Sequence, residues 1–156
     1  GAQWATPVRP DFRSAVALVR TEYRPGELVL FQIPYLVHTF DYYAPGLDYE
    51  AAEGPYTNGG MLPDEVDAYL CQTTAGHVRV WLVLSEAPMW DERNLTVDWF
   101  AANGQVTWYR FDRVEVVHWQ RPSSYLDQVA KSGDNEQVIP AVGRGYDDAG
   151  ATTAKG

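Results

Sequence analysis

Two apolar runs without a polar face, Leu28–Phe31 and Val78–Leu84, constrain this 156-residue chain more than any other feature. A strand that carries apolar residues on both faces has to be covered on both sides, which is the condition inside a parallel sheet flanked by helices. Helical stripes stand between the runs. Asp11 occupies an N-cap position, and Phe12, Val16, Val19 and Tyr23 then recur at the helical period until Pro25-Gly26 stops them. Pro34 suits the first turn of a second helix, with Leu36, Phe40 and Tyr43 as its stripe and Ala44-Pro45-Gly46 as its end. Residues 47–60 read as loop, with turn signals at Gly54-Pro55 and Asn58-Gly59-Gly60 and a short strand around Pro55–Thr57. A third helix is expected over Asp64–Thr73, where Val66, Ala68, Tyr69 and Leu70 are available to pack. A fourth is expected over Asp91–Ala102, with Leu95, Trp99 and Phe100 inward and Asn103-Gly104 as its stop. Val106–Phe111 and Val114–Trp119, separated by Asp112-Arg113, predict an antiparallel pair at the sheet edge.

This order predicts an α/β fold, a Rossmann-like three-layer αβα sandwich with a mainly parallel sheet and an antiparallel edge strand. Residues 1–10 form a lead-in, 11–120 a single domain, and 121–156 a C-terminal tail rich in Gly, Ala, Asp and Thr. The start at Gly1, without Met, reads as a piece cut from a longer protein.

Charge and composition exclude several partners. The formal net charge of −9 repels phosphate backbones, so no nucleic-acid partner is expected. No apolar run approaches the roughly 20 residues that span a bilayer. The single cysteine, Cys71, cannot close an intrachain disulfide and sits in an apolar helical stretch, where a buried inert thiol is expected. No Cys/His cluster has zinc spacing and no His pair has the i, i+4 relation, so no metal is expected. A dinucleotide fold needs glycines after its first strand, so that the backbone can approach pyrophosphate. Here that turn reads Phe31-Gln32-Ile33-Pro34-Tyr35, and no cofactor is expected. Ser85 ends the best strand but is followed by Glu86-Ala87-Pro88, not the glycine-framed elbow of a hydrolase. It reads as a strand-end hydroxyl.

One grouping carries binding chemistry. Open parallel sheets bind ligands beyond the carboxyl ends of their strands. The first strand delivers Gln32, Tyr35 and His38 to that edge, and the best strand delivers Glu86, Trp90, Asp91 and Arg93. The turn-rich loop adds Tyr56, Thr57 and Asn58. Amides, hydroxyls, carboxylates and rings are the groups that hold sugars. The structural alternative is that Asp91 caps the fourth helix and Arg93 pairs with a nearby carboxylate. A stand-alone saccharide-acting enzyme would use Glu86 and Asp91 as its acid and base, at a separation that spacing does not fix.

Three segments resemble a known family. They are Asp11-Phe12-Arg13-Ser14-Ala15-Ala17 with Arg24-Pro25-Gly26-Glu27-Leu28-Val29-Leu30, Pro34-Tyr35 with Asp41-Tyr42-Tyr43, and Val78–Val83 followed by Trp90-Asp91-Glu92-Arg93 and Trp99-Phe100. Together they are similar to the extracytoplasmic C-terminal domain of polytopic bacterial glycosyltransferases related to dolichyl-phosphate-mannose protein O-mannosyltransferases, the C-type transferase fold. The resemblance spans about residues 11–119. It implies a place on the outer face of the membrane, a membrane-embedded remainder as partner, and a lipid-phosphate-linked sugar donor for the parent. The family's catalytic acid lies in a membrane-proximal loop that has no counterpart in this sequence, so no catalytic residue carries over. The function so implied is that of a non-catalytic accessory domain that helps bind or orient a saccharide or polypeptide acceptor. The rivals are the Glu86/Asp91 enzyme and a purely structural partner-docking module.

Overall fold

A computed structural model describes residues 9–124. Residues 1–8 of the expected lead-in and 125–156 of the expected tail lie outside the described residues. The chain forms helix α1 (Phe12–Glu22), strand β1 (Leu28–Phe31), helix α2 (Leu36–Tyr43), strand β2 (Glu50–Glu53) and helix α3 (Pro63–Thr73). Strand β3 (Arg79–Leu84), a single 3₁₀ turn at Ala87–Met89, helix α4 (Leu95–Asn103) and strands β4 (Gln105–Phe111) and β5 (Val114–Gln120) follow.

The five strands form one sheet in the order β2-β1-β3-β5-β4. β1 pairs in parallel with both β2 and β3, Leu28 standing opposite Glu50 on one side and Val80 on the other. β5 pairs antiparallel with β3 and with β4. Four strands therefore run one way and β5 alone runs against them, which makes the sheet mixed. β1 and β3 are buried at every position from Leu28 to Phe31 and from Val80 to Leu84, as strands without a polar face require.

Alternation along these strands divides the interior between the two faces of the sheet. Val29, Phe31, Trp81 and Val83 point to one face, where Ala15, Val16 and Val19 of α1 and Leu36 and Phe40 of α2 cover them. Leu28, Leu30, Val80, Leu82 and Leu84 point to the other, beneath Val66 and Leu70 of α3 and Trp99 and Phe100 of α4. α2 and α3 thus connect parallel strands across opposite faces. The first connection steps from β1 outward to β2, and the second steps back across β1 to β3. Reversing both direction and face keeps one hand of crossover. The carboxyl ends of β1 and β3 are consequently a switch point: these neighbours send their following helices, α2 and α4, to opposite faces.

Several details differ from the sequence reading. α2 begins at Leu36, and Pro34 lies in the preceding turn, its carbonyl accepting from the Val37 amide at 3.2 Å. The second strand is Glu50–Glu53 and not Pro55–Thr57, because Gly54 ends the β1 pairing by donating to Phe31 O at 2.7 Å. Of the residues expected to pack from α3, Ala68 is exposed and only Val66 and Leu70 are buried. α4 starts at Leu95, four residues after Asp91, because Ala87–Met89 form a 3₁₀ turn and Asn94 takes a left-handed backbone (φ 58°) before the helix. Gly104 ends α4 as expected, yet its φ of 177° is extended backbone. Glycine is needed there for space: a Cβ would lie 2.2 Å from Trp119 Nε1 and 2.5 Å from Gln120 O.

Candidate functional site

The loops that leave the carboxyl edge of the sheet are stitched to each other. Trp90 O accepts from the amides of Thr57 (3.0 Å) and Asn58 (3.2 Å), and the Trp90 indole donates to Gly54 O at 3.2 Å. The Asn58 side chain is bonded at both ends, Nδ2 to Pro88 O (2.9 Å) and Oδ1 to the Glu92 amide (2.7 Å). Arg93 Nη2 donates to Thr57 O at 2.7 Å and to Met61 O at 2.6 Å, so the guanidinium is spent on carbonyls and not on a carboxylate. Trp90, Thr57, Asn58 and Arg93, grouped from the sequence, come together here, but much of their polar capacity is consumed in holding the loops.

Asp91 is 2% exposed, and both its oxygens are occupied. Oδ1 accepts from the Thr57 hydroxyl (2.5 Å) and the Leu95 amide (3.0 Å), and Oδ2 from the Thr96 amide (2.9 Å). The carboxylate caps α4 from outside the usual N-cap position, satisfying amides that a helix start leaves unpaired. Such an enclosed, threefold-bonded group has no lone pair directed at a substrate, and the geometry favours the cap over the acid–base role.

What remains presented to solvent is narrower. Tyr35 is 53% exposed and its hydroxyl donates to Glu86 Oε1 at 3.2 Å. Partial burial and that carboxylate push the Tyr35 phenol above its ordinary pKa, keeping it a neutral donor. Glu86 is exposed and adopts a left-handed backbone, φ 53°, which is unfavourable for a residue with a Cβ and is a feature concentrated at binding loops. Tyr56, 51% exposed, meets half-buried Trp90 edge to face with ring centroids 4.8 Å apart, and Met89 beside them is 65% exposed. His38 is exposed on the first turn of α2. Gln32 is the exception: it is fully buried, and neither Oε1 nor Nε2 has a hydrogen-bond partner among the described residues.

Two other readings take definite form. Ser85 is buried and its hydroxyl donates to Arg113 O at 3.1 Å, a strand-end contact. Cys71 is half-buried, and its thiol is pushed above its ordinary pKa by burial and by Asp67. Among the described residues no cluster of His, Cys, Asp and Glu could hold a metal ion, and no helix is long and apolar enough to cross a membrane.

A polar cluster at the opposite end of the sheet went unread in the sequence. Buried Glu27 accepts from the Trp81 indole and from the Arg24 amide, both at 2.8 Å, and its Oε2 lies 3.6 Å from His118 Nε2. His118 packs against Trp81 with ring centroids 4.2 Å apart and planes tilted by 48°. The signal available was Trp81 itself, since a buried indole needs an acceptor. Beside it, both ring nitrogens of His77 face acceptors, Gly26 O at 2.9 Å and Glu50 Oε2 at 3.1 Å.

Comparison with known proteins gives no match: no family model, no curated protein and no solved structure corresponds to this chain.

Proposed function

We propose that this chain is a non-catalytic, extracytoplasmic accessory domain of a membrane-embedded glycosyltransferase, and that its carboxyl edge binds the saccharide part of an acceptor. In this reading the mixed sheet with helices on both faces is a Rossmann-like three-layer sandwich, and the parent uses a lipid-phosphate-linked sugar donor. The observation that carries the binding role is the pairing of Tyr35 with Glu86 beside the Tyr56–Trp90 ring pair, all at the switch point. Rings that face solvent at an angle to each other offer stacking surfaces for the apolar faces of a sugar, and a carboxylate beside a phenol offers an acceptor and a donor for its hydroxyls. The occupied carboxylate of Asp91 supports the non-catalytic half, because it leaves Glu86 without a second free acid. The resemblance of residues 11–119 to the soluble domains of such transferases supports the location and the parent.

Calorimetric titration of the domain with mannose-type oligosaccharides tests the binding role. Weak but saturable heat, lost in Tyr35→Ala and Glu86→Ala variants that melt like the wild type, is expected. No heat at millimolar saccharide contradicts the reading. Hydrolysis of the saccharide by the domain would instead favour the enzyme.

A further inference from the structure

Among the described residues, the outer strands β2 and β4 are paired on one side only. An open edge invites another strand through its free amides and carbonyls, and folded proteins blunt it with short length, charge, proline or a bulge. β2 is guarded in this way: it has four residues and begins and ends in glutamate, Glu50 and Glu53. Two antiparallel copies of β2 would set Glu50 against Glu53 at both ends, and like charges directly opposite repel.

β4 has none of these guards. Its seven residues include no proline and no lysine, and none of them is buried. Its ladder with β5 runs without a bulge from Gln105 opposite Gln120 to Phe111 opposite Val114. The one charged side chain, Arg110, is turned back onto its own sheet. Its Nε donates to Glu115 Oε2 at 2.8 Å, and its guanidinium carbon lies 4.7 Å from the ring centre of Trp108, which is 36% exposed. None of the acidic residues behind the net charge of −9 lies in β4.

The two-residue connection Asp112-Arg113 decides which backbone groups are free. The pair that flanks it, Phe111 and Val114, exchanges both hydrogen bonds, and bonded and non-bonded pairs alternate from there along an antiparallel ladder. The amides and carbonyls of Gln105, Thr107, Tyr109 and Phe111 therefore point to β5. Those of Val106, Trp108 and Arg110 point outward. An antiparallel second copy pairs all of this outward set in one register alone, with Trp108 opposite Trp108 and Val106 opposite Arg110. The same register sets Thr107 against Tyr109, a β-branched residue against a ring, and no charge meets a like charge.

We propose that β4 is a homodimer interface, in which two copies pair β4 with β4, antiparallel about a two-fold axis at Trp108, and join their sheets into one. A second copy is the occupant because the complementarity lies within the sequence of β4 itself. The contact uses the same patch on both copies, so it closes at two subunits. It is independent of the saccharide reading.

Sedimentation of the full chain at rising concentration tests it. The mass climbs from 17.5 kDa to twice that value and stops there. A monomer at millimolar chain, or growth past the dimer, overturns the proposal. Trp108→Lys and Trp108→Glu each place a charge opposite its own copy, and each variant, with the circular dichroism of the wild type, dimerises at least about tenfold more weakly. Mixing the two variants restores the dimer, because the facing charges are then opposite in sign. A mixture as weak as its components overturns the axis at Trp108. Hydrogen exchange on the wild type needs no variant. The Val106, Trp108 and Arg110 amides gain protection as concentration rises, while those of Thr107 and Tyr109, bonded to β5, are protected throughout. Outward amides whose exchange ignores concentration overturn the β4 pairing, even where a dimer forms.

Discussion

The Thr57 hydroxyl donates to Asp91 Oδ1 at 2.5 Å across 34 positions of sequence, a buried side-chain bond among those that hold the loop after β2 to the start of α4. It is buried, so it is not weakened by water, and its acceptor is charged. Asp91→Ala strands the Thr57 hydroxyl and two helix-start amides, and a loss of about 3 kcal/mol is expected. Thr57→Val should cost about 1–2 kcal/mol, and a double-mutant cycle in urea should show coupling of about 1 kcal/mol or more. Additive losses would mean that the two side chains act separately.

Gly104 and Gly26 should respond differently to alanine. At Gly26 the backbone is left-handed (φ 95°) with open space around a Cβ, so Gly26→Ala costs about 1 kcal/mol of backbone strain. At Gly104 the conformation is permissive but a Cβ would collide with Trp119 and the Gln120 carbonyl, both part of the sheet. Gly104→Ala should therefore lose about 3 kcal/mol, the upper end of overpacking. Equal midpoints in denaturant would contradict the steric account.

His118 sets a pH dependence whose sign is fixed by its surroundings. Burial lowers its pKa from the ordinary 6.5, opposed by the Glu27 carboxylate, with Arg79 lowering it further and Glu22 opposing. The unfolded chain therefore takes up a proton before the folded one does. Stability from this group is full above the unfolded pKa and falls as pH drops from about 6.5 toward the folded value. His118→Gln should flatten the decline of urea midpoint between about pH 7 and about pH 5. An unchanged slope would mean that His118 is protonated as readily in the folded state as in the unfolded one.

Cys71 should be a slow thiol. Burial and the Asp67 carboxylate, whose Oδ1 lies 3.8 Å from the sulfur, both disfavour the reactive thiolate. Labelling by a thiol reagent near neutral pH should be several-fold slower than for a free cysteine. Asp67→Asn, which keeps an acceptor for the Trp99 indole bonded to that oxygen, should speed it. Labelling at the free-cysteine rate in the native domain would contradict this.

Periodicity was sufficient wherever burial and pattern coincide. The α1 stripe, both apolar strands and the β4–β5 pair could be read directly because each residue's partner layer is implied by its own spacing. β2 escaped because Glu50-Ala51-Ala52-Glu53 has neither alternation nor β-branched residues; it is a strand only because β1 offers it an edge. The start of α4 escaped because a cap that acts over four residues, through a left-handed Asn94, looks in sequence like an ordinary cap at Asp91. At the candidate site, the meeting of the loops after β2 and β3 was legible from strand ends and turn signals. The division of labour was not: whether Arg93 faces a ligand or two carbonyls, and whether Gln32 is bonded or stranded, depends on how two loops meet.

The most direct test of the saccharide-binding edge is the Trp90 indole N–H resonance, identified by its absence in Trp90→Phe, followed during titration with a mannose-type saccharide. That N–H is bonded to Gly54 O, and its ring pairs with Tyr56, so a saccharide stacked on the ring pair shifts it. The account predicts a saturable shift of this resonance together with the Glu86 amide, with the Trp99 and Trp119 indoles of the core unmoved. A Trp90 resonance that stays in place at millimolar saccharide, or one that moves only in step with the core indoles, would contradict it.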